Sequence, residues 1–162
     1  MKVTRNTPEQ LIIDHFSIVL AIMMVVFFAM FVGVGAVMVQ DGVFWGVLFL
    51  GTGILFGGIM LYHTERVQVI LDRSSGLLTI RRRNILRYRQ VTHDLDALGH
   101  AILETSTSGE YKSQTHRATL VLTSGMSAGE HPITEVYTSA SGPKIVADAI
   151  NDWLGNEITA VR

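Results

Sequence analysis

Two uncharged apolar runs, separated by only three residues, limit what this chain can become more than any other feature. Residues 16–39 hold 24 positions without a charge, and residues 43–62 hold 20 more. As helices rising 1.5 Å per residue they reach about 36 and 30 Å, against a hydrocarbon thickness of about 30 Å. Helices of soluble proteins are seldom that long, and they are rarely apolar on every face. The first run also exceeds the roughly 7–15-residue core of a cleavable leader. The expectation is a retained transmembrane helical hairpin over residues 16–62. Its turn is Gln40-Asp41-Gly42, short enough to force the two helices antiparallel and bring both outer ends to the same side.

Charge orients the hairpin. Lys2 and Arg5 precede it, Arg66, Arg73 and Arg81-Arg82-Arg83 follow it, and the turn carries only Asp41. By the positive-inside rule residues 1–15 form a cytoplasmic N-terminal tail, and the segment after the second helix is cytoplasmic too. Neither run contains Asp, Glu, Lys, Arg or His, the side chains that transporters and proton relays place at membrane depth.

Glycine placement in the second run is patterned. Gly46, Gly53 and Gly57 share a helix face and include the GxxxG of residues 53–57, which lets backbones approach closely in lipid. That face packs against the first helix, where Gly33 and Gly35 can answer it, or docks on another membrane protein or a second copy of the chain. Gly51 and Gly58 lie about 100° around the helix and can serve a different neighbour. Two histidines, His15 and His63, flank the hairpin at the same interface. Paired imidazoles could ligate haem or a metal, or they are simply polar helix-end residues.

Residues 63–162 read as a small β-rich domain closed by a helix. Strands are expected at Val67–Leu71, Leu77–Arg83, Leu86–Thr92, His100–Ser106, around Ala118–Leu122 and at Ile133–Thr138. Asp72-Arg73-Ser74-Ser75-Gly76 supplies turn chemistry between the first two. The closing helix spans 143–154, opened by Pro143 after a Ser141 or Gly142 cap and stopped at Gly155. Its apolar stripe is expected to comprise Ile145, Val146, Ala149, Ile150, Trp153 and Leu154, with Lys144, Asp148, Asn151 and Asp152 facing away.

The near-zero net charge of −1 conceals a polarised domain. Residues 63–92 carry seven arginines against Glu65 and Asp72, a net +5, whereas residues 93–162 carry a net −5. Arg81, Arg82, Arg83, Arg87 and Arg89 are the candidate contacts to anionic lipid head groups or to an acidic protein partner. Nucleic acid is a poor match, because Tyr88 is the only aromatic residue among these arginines and the acidic half repels phosphate. The absence of cysteine removes thiol chemistry and disulfides. No HExxH, P-loop, GxGxxG or GxSxG motif occurs, and Gly125–Gly129 reads as a glycine-rich turn. No catalytic, cofactor or metal residue is therefore assigned.

The run Asp72-Arg73-Ser74-Ser75-Gly76-Leu77-Leu78-Thr79-Ile80-Arg81 and the Tyr137-Thr138-Ser139 turn before the last helix carry a resemblance. The chain resembles small bacterial two-span membrane proteins with a pleckstrin-homology-like cytoplasmic domain. It is similar in layout to the photosystem I assembly factors of chloroplasts and cyanobacteria. The resemblance implies a PH-like fold over 63–162 and a multi-pass protein of the bacterial inner membrane. It also implies non-catalytic scaffolding: an adaptor, accessory subunit or assembly factor of a larger photosynthetic or respiratory membrane complex. A self-sufficient anionic-lipid sensor is the second expectation, and a haem or metal protein using His15 and His63 the third.

Overall fold

The computed structural model describes residues 1–16, 18–84, 86–108 and 113–155, without the side chains of 18–20, 60–63, 108 and 113. It divides into two compact units. The first comprises Met1–His15, Val67–Arg82 and Arg89–Arg162, and the second Phe16–Arg66 with Arg83–Tyr88.

The first unit is β-rich. Strands β1 (Lys2–Asn6), β2 (Gln10–His15), β3 (Arg66–Asp72), β4 (Leu77–Arg83) and β5 (Tyr88–Asp94) form one sheet in that order. Strands β6 (Leu98–Ser108), β7 (Ser113–Leu122) and β8 (Gly129–Pro132) form a second sheet, antiparallel throughout. The helix α3 (Gly142–Leu154) closes the core. Period-2 alternation explains which side chains enter it: Leu11 and Ile13 of β2, Val67, Val69 and Leu71 of β3, and Ala118, Leu120 and Leu122 of β7 are all buried.

The N-terminal segment corrects the expectation of a tail. Residues 1–15 are built into the sheet, with β2 lying antiparallel to β3 from Gln10 opposite Asp72 to His15 opposite Val67. The β-domain is thus discontinuous in sequence, and the apolar helices are an insertion between two adjacent paired strands. The N-terminus is also tied to α3, because Trp153 Nε1 donates to the Thr7 carbonyl at 2.7 Å.

Strand β4 lies where expected and β5 is shifted by two residues. The sixth strand is displaced: β8 covers Gly129–Pro132, and the expected strand at Ile133–Thr138 is reduced to an isolated bridge between Thr138 and His116. The buried Ile133 still donates its amide to the Ala118 carbonyl at 3.0 Å, and the ladder with β7 stops there. The Asp72–Gly76 turn forms as expected. Asp72 Oδ1 accepts from the Ser74 amide (2.9 Å) and hydroxyl (2.6 Å), and Gly76 takes a φ of 67° that favours glycine.

The α3 stripe is rotated from the expected one. Val146, Ile150 and Trp153 are buried as expected, but Ala147 and Asn151 join them while Ile145 is exposed. Asn151 is inside because it completes an unpaired strand edge. Its Oδ1 accepts from the Ala101 amide and its Nδ2 donates to the Ala101 carbonyl, both at 2.8 Å. Gly155 caps the helix in the left-handed conformation, as expected.

The second unit contains helices α1 (Ile18–Gln40) and α2 (Trp45–His63). Ala21–Gln40 is long and apolar enough to cross a membrane, while the apolar stretch of α2 among the described residues, Trp45–Ile59, is shorter. Neither helix is amphipathic: Val25, Val26 and Met30 of α1 and Val47, Ile54 and Leu55 of α2 are exposed. The link is a tight turn in which the Val43 amide donates to Met38 O at 2.8 Å and Gly42 adopts a φ of 75°.

Candidate functional site

The helices meet along the glycine face. A Cβ at Gly46 would lie 2.7 Å from the Val39 amide nitrogen, and one at Gly53 would lie 2.9 Å from Phe31 Cβ. One at Gly57 would overlap the Phe28 ring, and Gly35 answers from α1 against Leu50. These pairings run in opposite directions along the two helices. Phe31 and Phe49 stack with ring centroids 5.1 Å apart. Gly46, Gly53 and Gly57 are therefore occupied by α1. Gly33, Gly51 and Gly58 have open space where a Cβ would sit.

The second unit also holds a cleft of about 440 Å³. Its lining is of two kinds: Phe16, Ala21, Met24 and Val25 are apolar, while Arg66 and Arg83 are cationic, with Thr64 and Asn84 completing it. Thr64 Oγ1 lies 3.4 Å from Met24 Sδ. The loop that carries Arg83 is held by Asn84, whose Oδ1 accepts from the amides of Leu86 (3.0 Å) and Arg87 (2.6 Å). This side-chain-to-backbone turn leaves Leu86 77% exposed, beside the exposed Arg87 and Tyr88.

The candidate arginines do not share one site. Arg82 and Arg89 line a smaller cleft of about 220 Å³ in the first unit with His93 and His131. There Arg82 donates to the Pro132 carbonyl at 3.0 Å and lies 4.0 Å from Glu135. The Arg81 Nε is buried with no hydrogen-bond partner among the described residues. Arg83 belongs to the other cleft, and Arg87 is exposed on the loop. Arg73, not among the candidates, holds the fold together: it donates to the Trp153 carbonyl at 2.5 Å and stacks on the Trp153 ring at 4.3 Å. The Asp72-Arg73 pair thus combines a turn-closing carboxylate with a cation at the C-terminal end of α3, where it opposes the negative end of the helix dipole.

A cluster that the sequence did not reveal surrounds Glu104. Its carboxylate accepts from Arg117 Nε (2.8 Å), from Tyr137 Oη (2.8 Å) and from the Thr119 hydroxyl. Burial pushes the Glu104 carboxyl up, but the donors from Thr119, Arg117 and Tyr137 outweigh it, so its pKa lies below the usual value. The same bonds raise Arg117 and Tyr137. Arg117 also lies over the Tyr137 ring at 4.6 Å. Residues 104, 117 and 119 meet across paired strands, and Tyr137 joins from the irregular segment after β8, so the cluster fastens that segment to the sheet.

The histidines divide. His131 Nε2 lies 2.7 Å from the Ser127 carbonyl, so this nitrogen carries the proton. The contact is to the backbone and does not activate the Ser127 hydroxyl. Gly125 and Gly129 both take positive φ, as the turn reading expects. His15 Nδ1 is buried without a hydrogen-bond partner among the described residues, and its pKa is lowered first by burial, then by the N-terminal charge. The side chain of His63 lies outside the described residues. Among the described residues no three His, Asp or Glu side chains converge on a metal-sized site.

The arrangement defines a class by its architecture: a two-sheet β-domain closed by a helix and interrupted between adjacent strands by apolar helices. No protein-family model matches the chain, and no curated protein matches it.

Proposed function

We propose that this chain is a non-catalytic, membrane-anchored accessory protein that holds a PH-like β-domain against the cytoplasmic face of a membrane. In this reading α1 and α2 cross as a two-span hairpin, and both the N-terminal strands and the β-domain are cytoplasmic. The observation that carries it is the apolar surface that α1 and α2 leave exposed on every side but their shared glycine seam. Soluble proteins rarely expose so large an apolar surface without a partner or a bilayer to cover it. Basic residues Arg66, Arg83 and Arg87 belong to the helical unit at its chain ends, while the turn between the helices carries only Asp41.

The function that follows is that of an adaptor, accessory subunit or assembly factor for a larger integral membrane complex. Because α1 occupies Gly46, Gly53 and Gly57, lateral docking falls to the outward faces that carry Gly33, Gly51 and Gly58. The test is extraction in mild detergent, native gel separation and mass spectrometry of what co-migrates. Gly51→Leu with Gly58→Leu should release a docked partner without separating α1 from α2. Migration of the wild-type chain alone would refute the adaptor reading.

A second reading, contact with anionic lipid, is favoured by the mixed cationic and apolar cleft of the helical unit.

A further inference from the structure

We infer that the 440 Å³ cleft of the helical unit is a binding site for one anionic phospholipid, with its phosphate on Arg66 and Arg83 and its glycerol and first acyl carbons against Phe16, Ala21, Met24 and Val25. The inference rests on the reading that α1 and α2 lie in a membrane, and it names a ligand for the lipid contact of the second reading.

Three observations converge on it. The first is the lining itself: among the described residues it holds two guanidinium groups and no carboxylate. Guanidinium is the side chain best suited to phosphate oxygens, because its planar fork donates two parallel N–H bonds. The second is the apolar half. A free phosphate gains nothing from four apolar neighbours, whereas a phospholipid presents both chemistries within a few bonds. Ala21 to Val25 covers just over one turn of α1, about 6 Å of helix at 1.5 Å per residue, which suits the glycerol and the first methylenes of a chain. Val25 is 60% exposed, so this wall is continuous with the open apolar face of the helix. The third is the adjoining loop, where Leu86, 77% exposed, stands between Arg83 and Arg87 in the same unit. An exposed leucine flanked by arginines matches a bilayer interface, with the apolar tip immersed and the cations at the phosphates. The cleft volume lies within the range of small-ligand sites and admits a head group with its nearest carbons.

The test uses the full chain in mild detergent and native mass spectrometry with added phosphatidylglycerol or phosphatidylcholine. The expected result is one retained phosphatidylglycerol per chain, with about tenfold preference over phosphatidylcholine. Arg66→Gln combined with Arg83→Gln should abolish the preference, and Arg66→Lys with Arg83→Lys should restore part of it. Ala21→Trp, which fills the apolar wall without touching a charge, should reduce retention of phosphatidylglycerol about tenfold at an unchanged melting temperature. Equal retention of the two lipids by the wild-type chain would overturn the proposal, as would full preference in the double glutamine variant. Displacement of the lipid by inorganic phosphate alone would also overturn it, assigning the site to a free anion. Release of the chain from native membranes by alkaline carbonate would instead refute the membrane reading, a failure distinct from loss of lipid preference in a chain that stays embedded.

Discussion

Asn151 is a polar side chain in the apolar stripe of α3, and replacing it with leucine tests why it is there. Leucine keeps most of the volume, so the cavity contribution is small. What disappears is the pair of 2.8 Å hydrogen bonds to the amide and carbonyl of Ala101, in surroundings where Asn151 and Ala101 are each 2% exposed. Two buried backbone groups are left unpaired, at about 1–3 kcal/mol each. The gain from an extra apolar side chain offsets about 1–2 kcal/mol of that. The expected net loss is about 2–3 kcal/mol, which lowers the melting midpoint of a domain this size by roughly 10–20 °C. Thermal unfolding can be followed by Trp153 fluorescence in a Trp45→Phe background, since Trp153 is buried against Thr7 and Trp45 is exposed. Hydrogen exchange at the Ala101 amide should accelerate in parallel. A midpoint within about 3 °C of the parent would refute the argument that Asn151 completes the β6 edge.

Further outcomes are expected elsewhere. Gly46→Leu should separate α1 from α2, because its side chain meets the backbone of Val39, whereas Gly51→Leu should not. The cysteine-free chain allows this to be read by bridging Phe31→Cys and Phe49→Cys, whose parent rings stack 5.1 Å apart across the two helices, with a short bifunctional thiol reagent in each background. Glu104 has a lowered carboxyl pKa, so its contribution to stability is complete above the unfolded carboxylate pKa and is lost as pH falls through the folded value. Melting from pH 6 to pH 3 should therefore narrow the gap between wild type and Glu104→Gln, and a constant gap would exclude the ionised carboxylate as the cause. Arg73→Ala should cost about 1–2 kcal/mol by removing the Trp153 carbonyl bond and the ring contact, measurable by chemical denaturation. Removal of residues 1–6 should destabilise the whole β-domain, because β1 packs beside β2 and α3; unchanged melting would be the contrary result.

Some of this architecture is legible in the residues. The apolar runs are unmistakable because length and absence of charge suffice to define them. The Asp72–Gly76 turn and the ends of α3 are legible because an aspartate in a turn, a first-turn proline and a C-terminal glycine act over three or four residues; the expected Ser141 cap makes no side-chain hydrogen bond. Strands β3 and β4 can be read from alternation within one segment. Strands β1 and β2 escape such a reading because their apolar alternation is short, Val3 in one and Leu11 with Ile13 in the other, and runs directly into the apolar helix. Strand β1 pairs with β2, and the partner that anchors β2, β3, lies more than fifty residues away.

Sequence alone determined the local and compositional properties: two apolar helices, basic residues close to them, turn chemistry, a capped terminal helix and the absence of thiol chemistry. Tertiary structure decided everything that depends on distant partners. It brought residues 1–15 into the sheet and turned Asn151 inward onto Ala101. It joined Glu104, Arg117 and Tyr137, assigned the glycine face to α1, and separated Arg83 from Arg82 and Arg89 into different clefts. The reason is physical: helix length, caps and turns are fixed by near neighbours, whereas an unpaired strand edge or a buried carboxylate is satisfied by whichever distant group the fold brings within hydrogen-bond reach.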